Sequence, residues 1–475
     1  MGNFKSIQKK PFFWRINDAE RRIILLVGDL FVSYLSIVIA LFFWSKQDWL
    51  HFTLEFIQQR PEIWFYFLPI LWIILLVELY DVRSAANRGK TIKSVTIAAV
   101  ISLGLYLLVY FTSDPNSLPR RGVAAFIVST FVLTILWRYL YIRIFTTPMF
   151  MRRVLIVGCG RSGLTLASVL HKIWPPPFFV VGYIDDDPEK LGKEFEGYPV
   201  LGANSDLKKI IEEEHVTDLV FAISGEMNSE TFQELINAEE SGVEITTMPV
   251  LYEELLGRVP ILLLKSDWLL RSFLDQAHTG SFYNAAKRLM DIAGGLVGLG
   301  ILAMIFPFVA LTILIDSGWP IFYTQDRLGK RGKEFRIIKF RTMIQESEKD
   351  GVARMASQTD NRITRVGNFL RKSHLDEFPQ FINIFRGDMS LVGPRAEQTT
   401  LVEKLQKDVP FYRARLLVKP GATGWAQVNF GYAATVEETR VKLEYDLYYI
   451  KHQNLIMDIS IIIRTIGTVF GLRGQ

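Results

Sequence analysis

The sequence contains almost no cysteine, and that scarcity excludes several kinds of site. The only cysteine among 475 residues is Cys159, so the chain has no intramolecular disulfide and no thiolate zinc cluster. The six histidines show no spacing typical of metal ligands. No nucleic-acid-binding motif accompanies the net charge of +5, so we expect no nucleic-acid partner. Charged residues make up only 22% of the chain against 49% hydrophobic residues, which predicts apolar blocks in a membrane protein.

Four long apolar runs fill the first third of the chain. Each has about 17 to 22 residues, the length that crosses the hydrocarbon core of a bilayer. The first run is too long for the apolar part of a secretory signal and lacks a small-residue cleavage site, so we expect no cleavable signal peptide. We predict a four-helix transmembrane bundle over residues 1–150, with spans at 23–44, 63–79, 95–111 and 123–141.

The basic residues around these runs predict their orientation. Lys and Arg cluster before the first run, between the second and third, and after the fourth, whereas the other two loops are poorer in them. Arg120 and Arg121 blur this contrast in the second of those loops. We therefore expect both ends of the bundle on the cytoplasmic side.

A Rossmann-like α/β domain is predicted over residues 151–258, where apolar strand-like runs alternate with helical stretches. The first such run leads into Gly158, Gly160 and Gly163, spaced as in a phosphate-binding loop, and Asp185 follows about 20 residues later, as in dinucleotide-binding units. The stretch is only about half a full dinucleotide domain. Two interpretations stay open: a nucleotide site, or a structural unit that forms a homodimer.

A fifth apolar run, 292–315, contains Pro307 and has basic residues on both sides. Both flanks should stay cytoplasmic, and a helix bent at Pro307 can return to the face it left. We predict a re-entrant membrane helix at 285–315, with Lys287 and Arg288 as anchors at the membrane interface. A true span is the alternative, and it would place the residues that follow outside the cell. Residues 259–280 are predicted to be a linker, and the apolar end, 455–472, an interfacial amphipathic helix.

Two adjacent carboxylates, Asp376 and Glu377, lie among many arginines in the last third of the chain. Arginine forks bind phosphate oxygens, and a carboxylate among them can hold Mg²⁺ against a diphosphate or attack phosphorus itself. A surface network of salt bridges is the structural alternative. Four surrounding motifs narrow the choice: Lys339-Phe-Arg341-Thr-Met343, Arg371-Lys-Ser-His-Leu-Asp376-Glu377-Phe-Pro379-Gln380, Gly387-Asp-Met-Ser-Leu-Val-Gly-Pro-Arg395 and Lys419-Pro-Gly-Ala-Thr-Gly-Trp425-Ala-Gln-Val.

In these motifs, residues 281–475 resemble the bacterial polyprenyl-phosphate sugar phosphotransferases, or monotopic phosphoglycosyl transferases. The upstream spans and α/β domain are similar to the large members of that family. The resemblance implies a mostly α catalytic domain over 281–475, in a protein of the bacterial inner membrane, with the catalytic domain facing the cytoplasm. Two departures, His374 in place of a small polar residue and Ala396 in place of proline, put substrate positioning in question rather than activity.

The resemblance also implies roles for particular residues. Asp376 would attack the β-phosphate of a UDP-sugar, release UMP and carry the phosphosugar until undecaprenyl phosphate accepts it. Glu377 would assist with Mg²⁺ or proton transfer, and Asp376 and Glu377 are the candidate metal ligands. Pro307 matches the break in the family's re-entrant helix. The residues expected to bind substrate phosphate are Arg371, Arg395, Lys339, Arg341 and Arg362.

The expected activity is a sugar-1-phosphate transfer that initiates exopolysaccharide, capsule or O-antigen synthesis, with glucose or galactose as the sugar by family habit. A membrane-tethered NAD-dependent nucleotide-sugar dehydratase is one alternative, but it needs a full dinucleotide domain with a catalytic Tyr-Lys pair. A non-enzymatic regulator of polysaccharide assembly is the other, and it would not need Asp376 and Glu377.

Overall fold

The computed structural model divides into two compact units, Met1–Thr246 and Thr247–Gln475. Each unit is described below by itself. The residues that the structure describes are 18–46, 48–80, 82–112, 120–145, 151–174, 176–223, 229–263, 280–344, 362–431 and 435–469.

Long apolar helices dominate the first part of unit one. Helix α1 packs along α6, and α6 also packs against α5. Within the described residues, four helices are long and apolar enough to cross a membrane: Glu20–Ser45, Arg88–Leu108, Arg120–Phe145 and, in unit two, Phe282–Ser317. The helices up to residue 145 are α1 Asp18–Ser45, α2 Leu54–Gln59, α3 Leu68–Leu75, α4 Val82–Ala86, α5 Arg88–Thr112 and α6 Arg120–Phe145, with 3₁₀ helices at Ile63–Phe67 and Val77–Tyr80.

The second predicted span, 63–79, differs from the expectation because it is not one helix. A 3₁₀ helix leads into the short α3, and the apolar helical stretch ends at Leu75. Pro69 lies in the first turn of α3, where its missing N–H is tolerated, so the α-helix starts there rather than earlier. Ile63–Leu75 is about 22 Å long by the rise of its two helix types, short of a hydrocarbon core of about 30 Å.

Some of the polar groups inside this bundle pair with one another. Asp29 of α1 and Arg138 of α6 are fully buried and form an ion pair of 2.5 Å. Arg138 also donates to the carbonyl of Leu79 at 3.0 Å, in the short 3₁₀ helix that follows α3. Trp72 donates to Thr134 at 3.2 Å. Irregular backbone in an apolar setting needs such partners, so Arg138 explains how the chain after α3 is accommodated.

The rest of unit one is a mostly parallel α/β sheet, as predicted. Strand β1 pairs in parallel with β2 and β5, and β2 pairs in parallel with β4, in the order β3-β4-β2-β1-β5-β6. The strands are β1 Arg153–Val157, β2 Phe179–Ile184, β3 Glu194–Phe195, β4 Tyr198–Gly202, β5 Asp218–Phe221 and β6 Glu244–Thr247. The helices are α7 Arg161–Lys172, α8 Leu207–Glu213 and α9 Ser229–Glu240, with a 3₁₀ helix at Asn204–Asp206.

The predicted boundary at residue 258 lies within unit two. Helix α10, Met248–Leu256, belongs to unit two, and Val259 and Ile261, expected in a linker, are buried in its hydrophobic core. Trp425 donates to the carbonyl of Gly257 at 2.7 Å. These apolar side chains pack against later parts of the chain, so the segment 248–261 is part of the C-terminal domain. Residues 264–279 of the predicted linker lie outside the described residues.

Helix α11, Ser281–Ser317, is the long apolar helix of unit two. It has 37 residues, about 55 Å, and its assignment continues through Pro307. One face packs closely: a Cβ on Gly298 would lie 2.2 Å from the ring of Phe381. The other face exposes large apolar side chains, including Leu296, Val297, Met304, Phe308 and Ile315.

The remaining elements of unit two surround the packed face of α11. A hairpin of β7 and β8 precedes short helices and a small parallel pair of β9 with β10. The domain is mostly α, as expected. Its elements are β7 Phe322–Leu328, β8 Glu334–Phe340, α12 Arg365–Lys372, α13 Gln380–Arg386, β9 Ser390–Val392, α14 Thr399–Asp408, β10 Gly421–Thr423, α15 Trp425–Asn429, α16 Val436–His452 and α17 Leu455–Val469, with 3₁₀ helices at Lys330–Gly332, Leu375–Glu377 and Tyr412–Leu417.

Candidate active site

Asp376 and Glu377 lie in a single 3₁₀ turn between α12 and α13. The turn starts at His374, whose φ of 54° is in the left-handed region that few non-glycine residues adopt. Helix α12 has ended by Ser373, so this conformation redirects the chain directly before the acidic pair. The backbone therefore holds the two carboxylates in a short, tightly turned segment.

Glu377 is held by two cations. Its Oε1 accepts a hydrogen bond from Lys339 Nζ at 2.6 Å and another from Arg395 Nη2 at 3.1 Å. Burial by itself would raise the pKa of Glu377, but Arg395 and Lys339 outweigh it and hold the pKa well below its ordinary value. Glu377 is therefore ionised and fixed in place, and both of these bonds are made to its Oε1.

Asp376 has a different environment. Among the described residues, its buried carboxylate has no hydrogen bond and no ion pair. Burial and the neighbouring charge of Glu377 raise the pKa of Asp376, while Lys339 and Arg371 oppose that shift. A carboxylate that no described residue binds is available to a metal ion or to an electrophilic phosphorus, so the two acids differ in what they can do.

Arg371, in the last turn of α12, borders the same site. Its Nε donates to Thr342 Oγ1 at 2.9 Å, and its terminal nitrogens have no partner among the described residues. Its charge is close enough to Asp376 to lower the pKa of that carboxyl. Three predicted phosphate ligands, Lys339, Arg371 and Arg395, are therefore brought together around the acidic pair.

Arg341 contacts α11 rather than the acidic pair, and its role as a phosphate ligand stays a prediction. Its Nη2 donates to the carbonyl of Ser317 at 2.6 Å and to the carbonyl of Gly318, so it binds the C-terminal end of α11. The side chain is buried. Lys339 and Thr342 contact Glu377 and Arg371, whereas Arg341 contacts the end of α11.

The predicted interface anchors both bind protein groups. Lys287 donates to Asp458 Oδ2 at 2.8 Å and to Tyr449 Oη at 2.9 Å, and Asp458 is fully buried. Arg288 donates to the carbonyl oxygens of Ile384 and Phe385 at the C-terminal end of α13. Both residues therefore fasten α11 to the catalytic domain. For Arg362, which borders residues outside the described part, phosphate binding stays a prediction.

The acidic pair offers two carboxylates as possible ligands for Mg²⁺. Across the described residues, no group of three or more side chains could hold a metal ion. Mg²⁺ in phosphate-transfer sites commonly uses one or two carboxylates together with substrate phosphates. Asp376, which is not engaged, and Glu377 Oε2 are the oxygens that match that pattern.

In unit one, the glycine loop and Asp185 come together as predicted. A Cβ on Gly163 would lie 2.0 Å from the carbonyl oxygen of Gly158, so only glycine allows α7 to approach the loop. Asp185 Oδ2 accepts from the backbone N–H of Cys159 at 2.7 Å and pairs with Lys190 at 3.1 Å. The carboxylate is already engaged by protein groups, and nucleotide binding here stays a prediction.

A buried charge network behind Arg395 was not predicted. It contains Arg327, Glu397, Arg415, Lys442 and Asp446, which are distant in sequence and match no motif. No periodicity or spacing signals such a network, because it forms only when β7, the segment after β9, the 3₁₀ helix Tyr412–Leu417 and α16 pack together.

An acidic pair in a basic site, on a domain that carries a long apolar helix, defines a membrane-associated enzyme. The sequence profile described as "Bacterial sugar transferase" matches residues 282–472, and a profile described as "CoA-binding domain" matches residues 76–249. With the relatives that follow, these matches show that the chain belongs to the bacterial sugar transferase family.

Three relatives illustrate the likeness. UDP-N-acetylgalactosamine-undecaprenyl-phosphate N-acetylgalactosaminephosphotransferase of Aeromonas hydrophila is 43% identical over 46% of this chain and 52% of its own length. UDP-glucose:undecaprenyl-phosphate glucose-1-phosphate transferase of Xanthomonas campestris pv. campestris is 30% identical over 67% of both chains. UDP-galactose-lipid carrier transferase of Erwinia amylovora is 31% identical over 67% of this chain and 68% of its own. The chain thus spans about half of the Aeromonas relative and two thirds of the others.

Proposed function

We propose that this protein transfers a sugar 1-phosphate from a UDP-sugar to undecaprenyl phosphate and releases UMP. The observation that carries the proposal is the unequal acidic pair: no described residue hydrogen-bonds to Asp376, while Glu377 is fixed by Lys339 and Arg395. The names of the relatives support this pair of substrates. The reaction would be the initiating step of exopolysaccharide, capsule or O-antigen synthesis.

The chemistry follows in two displacements at one phosphorus atom. A carboxylate oxygen of Asp376 attacks the β-phosphorus of the UDP-sugar, and the bond from that phosphorus to the bridging oxygen breaks, so UMP leaves with the electron pair. A phosphate oxygen of undecaprenyl phosphate then attacks the same phosphorus and releases Asp376. Arg371 and Arg395 neutralise charge on the phosphate oxygens throughout. Mg²⁺ held by Asp376 and Glu377 would supply further charge neutralisation at the diphosphate.

The proposed position is the cytoplasmic face of the inner membrane, with α11 as a re-entrant helix. Asp291, near its start, accepts hydrogen bonds from Ser390 and Leu391, and Asp316, near its end, accepts one from the backbone of Val366. Asp291 and Asp316 are about 38 Å apart along a straight helix, yet both accept hydrogen bonds from the same domain. A polar domain stays on one side of a bilayer, which favours a helix that enters and leaves by that side.

The sugar is the least defined part of the proposal. The names of the three relatives carry N-acetylgalactosamine, glucose and galactose. These sugars differ at one hydroxyl configuration or one acetamido group, and no residue of the described site selects among them. We propose a hexose or an N-acetylhexosamine, to be identified with a panel of UDP-sugars.

The test is covalent labelling. The protein in lipid nanodiscs with Mg²⁺ is incubated with β-³²P-labelled UDP-glucose, UDP-galactose or UDP-N-acetylgalactosamine, without undecaprenyl phosphate. We expect one sugar to label wild type, undecaprenyl phosphate to remove the label, and Asp376→Asn to abolish it, because the amide is nearly isosteric but not nucleophilic. Asp326→Asn, in an exposed ion pair of the same domain, is the matched control and should label normally.

Two outcomes would contradict the proposal. Normal labelling of Asp376→Asn would assign the nucleophile to another residue. UMP release by wild type that depends on undecaprenyl phosphate and never gives labelled protein would indicate direct transfer without the aspartyl intermediate.

A further inference from the structure

The backbone that carries Arg395 is held at three successive carbonyl groups. The carbonyl of Arg395 accepts from Arg415 Nη2 at 3.2 Å, and that of Ala396 accepts from Arg327 Nη1 at 3.1 Å. The carbonyl of Glu397 accepts from the backbone N–H of Leu328 at 3.2 Å. The side chain of Arg395 points to Glu377, so the backbone beneath a site residue is fixed by groups outside the site.

Arg415 is the centre of this arrangement. Its Nη2 also donates to Asp446 Oδ2 at 2.7 Å, and its Nη1 donates to Tyr412 Oη at 2.8 Å. Its Nη1 lies 3.4 Å from Glu397 Oε1, which in turn accepts from Lys442 Nζ at 2.9 Å. The side chains of Arg415 and Asp446 are almost completely buried. Two cations and two carboxylates thus balance each other in the interior.

Glu397 and Arg415 stay ionised in this network, whereas burial raises the pKa of Asp446. Burial by itself would raise the pKa of Glu397, but Lys442 and then Arg415 lower it to about 2. Tyr412, Asp446 and Glu397 raise the pKa of Arg415, so its guanidinium stays charged despite burial. Buried ion pairs contribute little net stability because desolvation offsets their attraction. Net stability therefore does not explain why these ion pairs lie in the apolar core around Val402, Leu405 and Leu447.

We propose that Arg415 is a positioning residue for Arg395. Its hydrogen bond to the Arg395 carbonyl, braced by Asp446 and Glu397, fixes the backbone so that the guanidinium of Arg395 faces Glu377 and the substrate diphosphate. The proposal rests on the proposed function, because it assumes that Arg395 binds substrate phosphate. It predicts that loosening Arg415 weakens catalysis through Arg395 and not through the fold as a whole.

The experiment is a double-mutant cycle of Asp446→Asn with Arg395→Lys, read as kcat/KM for the UDP-sugar. Asp446→Asn keeps the shape but replaces the carboxyl group that accepts from Arg415 with an amide, a weaker acceptor. We expect it to lower kcat/KM about tenfold in wild type and only about twofold in Arg395→Lys, because the second background has already lost the positioned fork. Glu437→Gln, in an exposed pair with Arg440 on the same helix, is the matched control and should leave kcat/KM unchanged.

An equal loss in both backgrounds would overturn the proposal, since a merely structural effect adds independently. If Asp446→Asn does not fold, Lys442→Met tests the same network from its partly exposed edge, with the same expected non-additivity. The proposed function fails separately if wild type releases no UMP from any UDP-sugar. Wild-type kcat/KM in Arg395→Lys alone would show that Arg395 does not bind phosphate. Impaired Arg395→Lys with additive effects would reject only the positioning role.

Discussion

Asp376 and Glu377 are chain neighbours with different electrostatic environments. Lys339 and Arg395 keep Glu377 ionised and immobile, while burial beside that charge raises the pKa of Asp376. An acid with a raised pKa is a stronger nucleophile once it has lost its proton, so the pair is suited to one attacking and one supporting group. The arginines near this acidic pair also differ in their contacts.

Arg371 and Arg341 should respond differently to substitution by lysine. Arg371→Lys keeps the charge but loses the fork, so we expect covalent labelling to slow at least about tenfold with little change in thermal stability. Arg341→Lys loses bonds to the end of α11, so we expect the free energy of unfolding to fall by about 1–3 kcal/mol. Calorimetry and labelling of both variants separate the two effects.

Arg336→Lys, in an exposed pair with Asp326, is the control for this comparison and should change neither quantity. A loss of labelling in Arg341→Lys without any loss of stability would return Arg341 to the phosphate site, as the sequence predicted.

At the scale of elements, the apolar helix α11 is attached at both ends to the domain that contains the acidic pair. Arg341 binds its C-terminal end, Arg288 ties its first turns to α13, and Lys287 joins it to α17 through Asp458. The exposed apolar face and the packed face together suit a helix that lies between lipid and a catalytic domain. What Pro307 does to its path is open to direct measurement.

Cysteine labelling can determine whether α11 returns to the face it left. In a background where Cys159 is replaced, Ser281→Cys and Lys330→Cys should both react only with reagent on the cytoplasmic side, because one domain holds both ends of the helix. His51→Cys, exposed after α1 and predicted on the opposite side, is the control for membrane sidedness. Reaction of the two flanking sites from opposite sides would make α11 a true span.

At the scale of the whole molecule, the C-terminal domain begins earlier than its sequence motifs. Tyr252 and Arg258 contact Glu444 of α16, and Glu253 pairs with Lys451 at 2.8 Å on the same helix. Their partners lie almost 200 residues away in the chain, so no local pattern reveals that the segment 248–261 belongs to this domain.

Truncations should locate this boundary. A chain starting at Thr247 should fold and retain detectable labelling, because it keeps the whole of unit two. A chain starting at Gly280 loses buried Val259 and Ile261 and should be less stable by at least about 3 kcal/mol. Chemical denaturation of both forms measures this difference.

Full-length Glu253→Gln, compared with its exposed neighbour Glu254→Gln, tests the same contact without truncation. Equal stability of the two truncated forms would show that residues before 280 are dispensable to the domain.

Local patterns determined much of this protein from the sequence by itself. Apolar runs predicted three long helices before residue 146 and a fourth within 282–317, because crossing a bilayer requires length and hydrophobicity that any window reveals. The glycines at 158, 160 and 163 predicted a strand–loop–helix unit, and the motifs around Asp376 predicted the family. The second predicted span is divided into a 3₁₀ helix and a short α-helix with Pro69 in its first turn, and a hydropathy pattern does not reveal such a division.

Only the tertiary structure determined which of these side chains contact one another. Glu377 is fixed and Asp376 is not because Lys339 and Arg395 come from distant segments. Arg341 binds the end of α11 because the carbonyl groups of Ser317 and Gly318 come close to it in the folded chain. The Arg415 network and the segment 248–261 depend on contacts between residues far apart in the chain. Sequence specifies which groups are present, but the packing of the chain determines which of them meet.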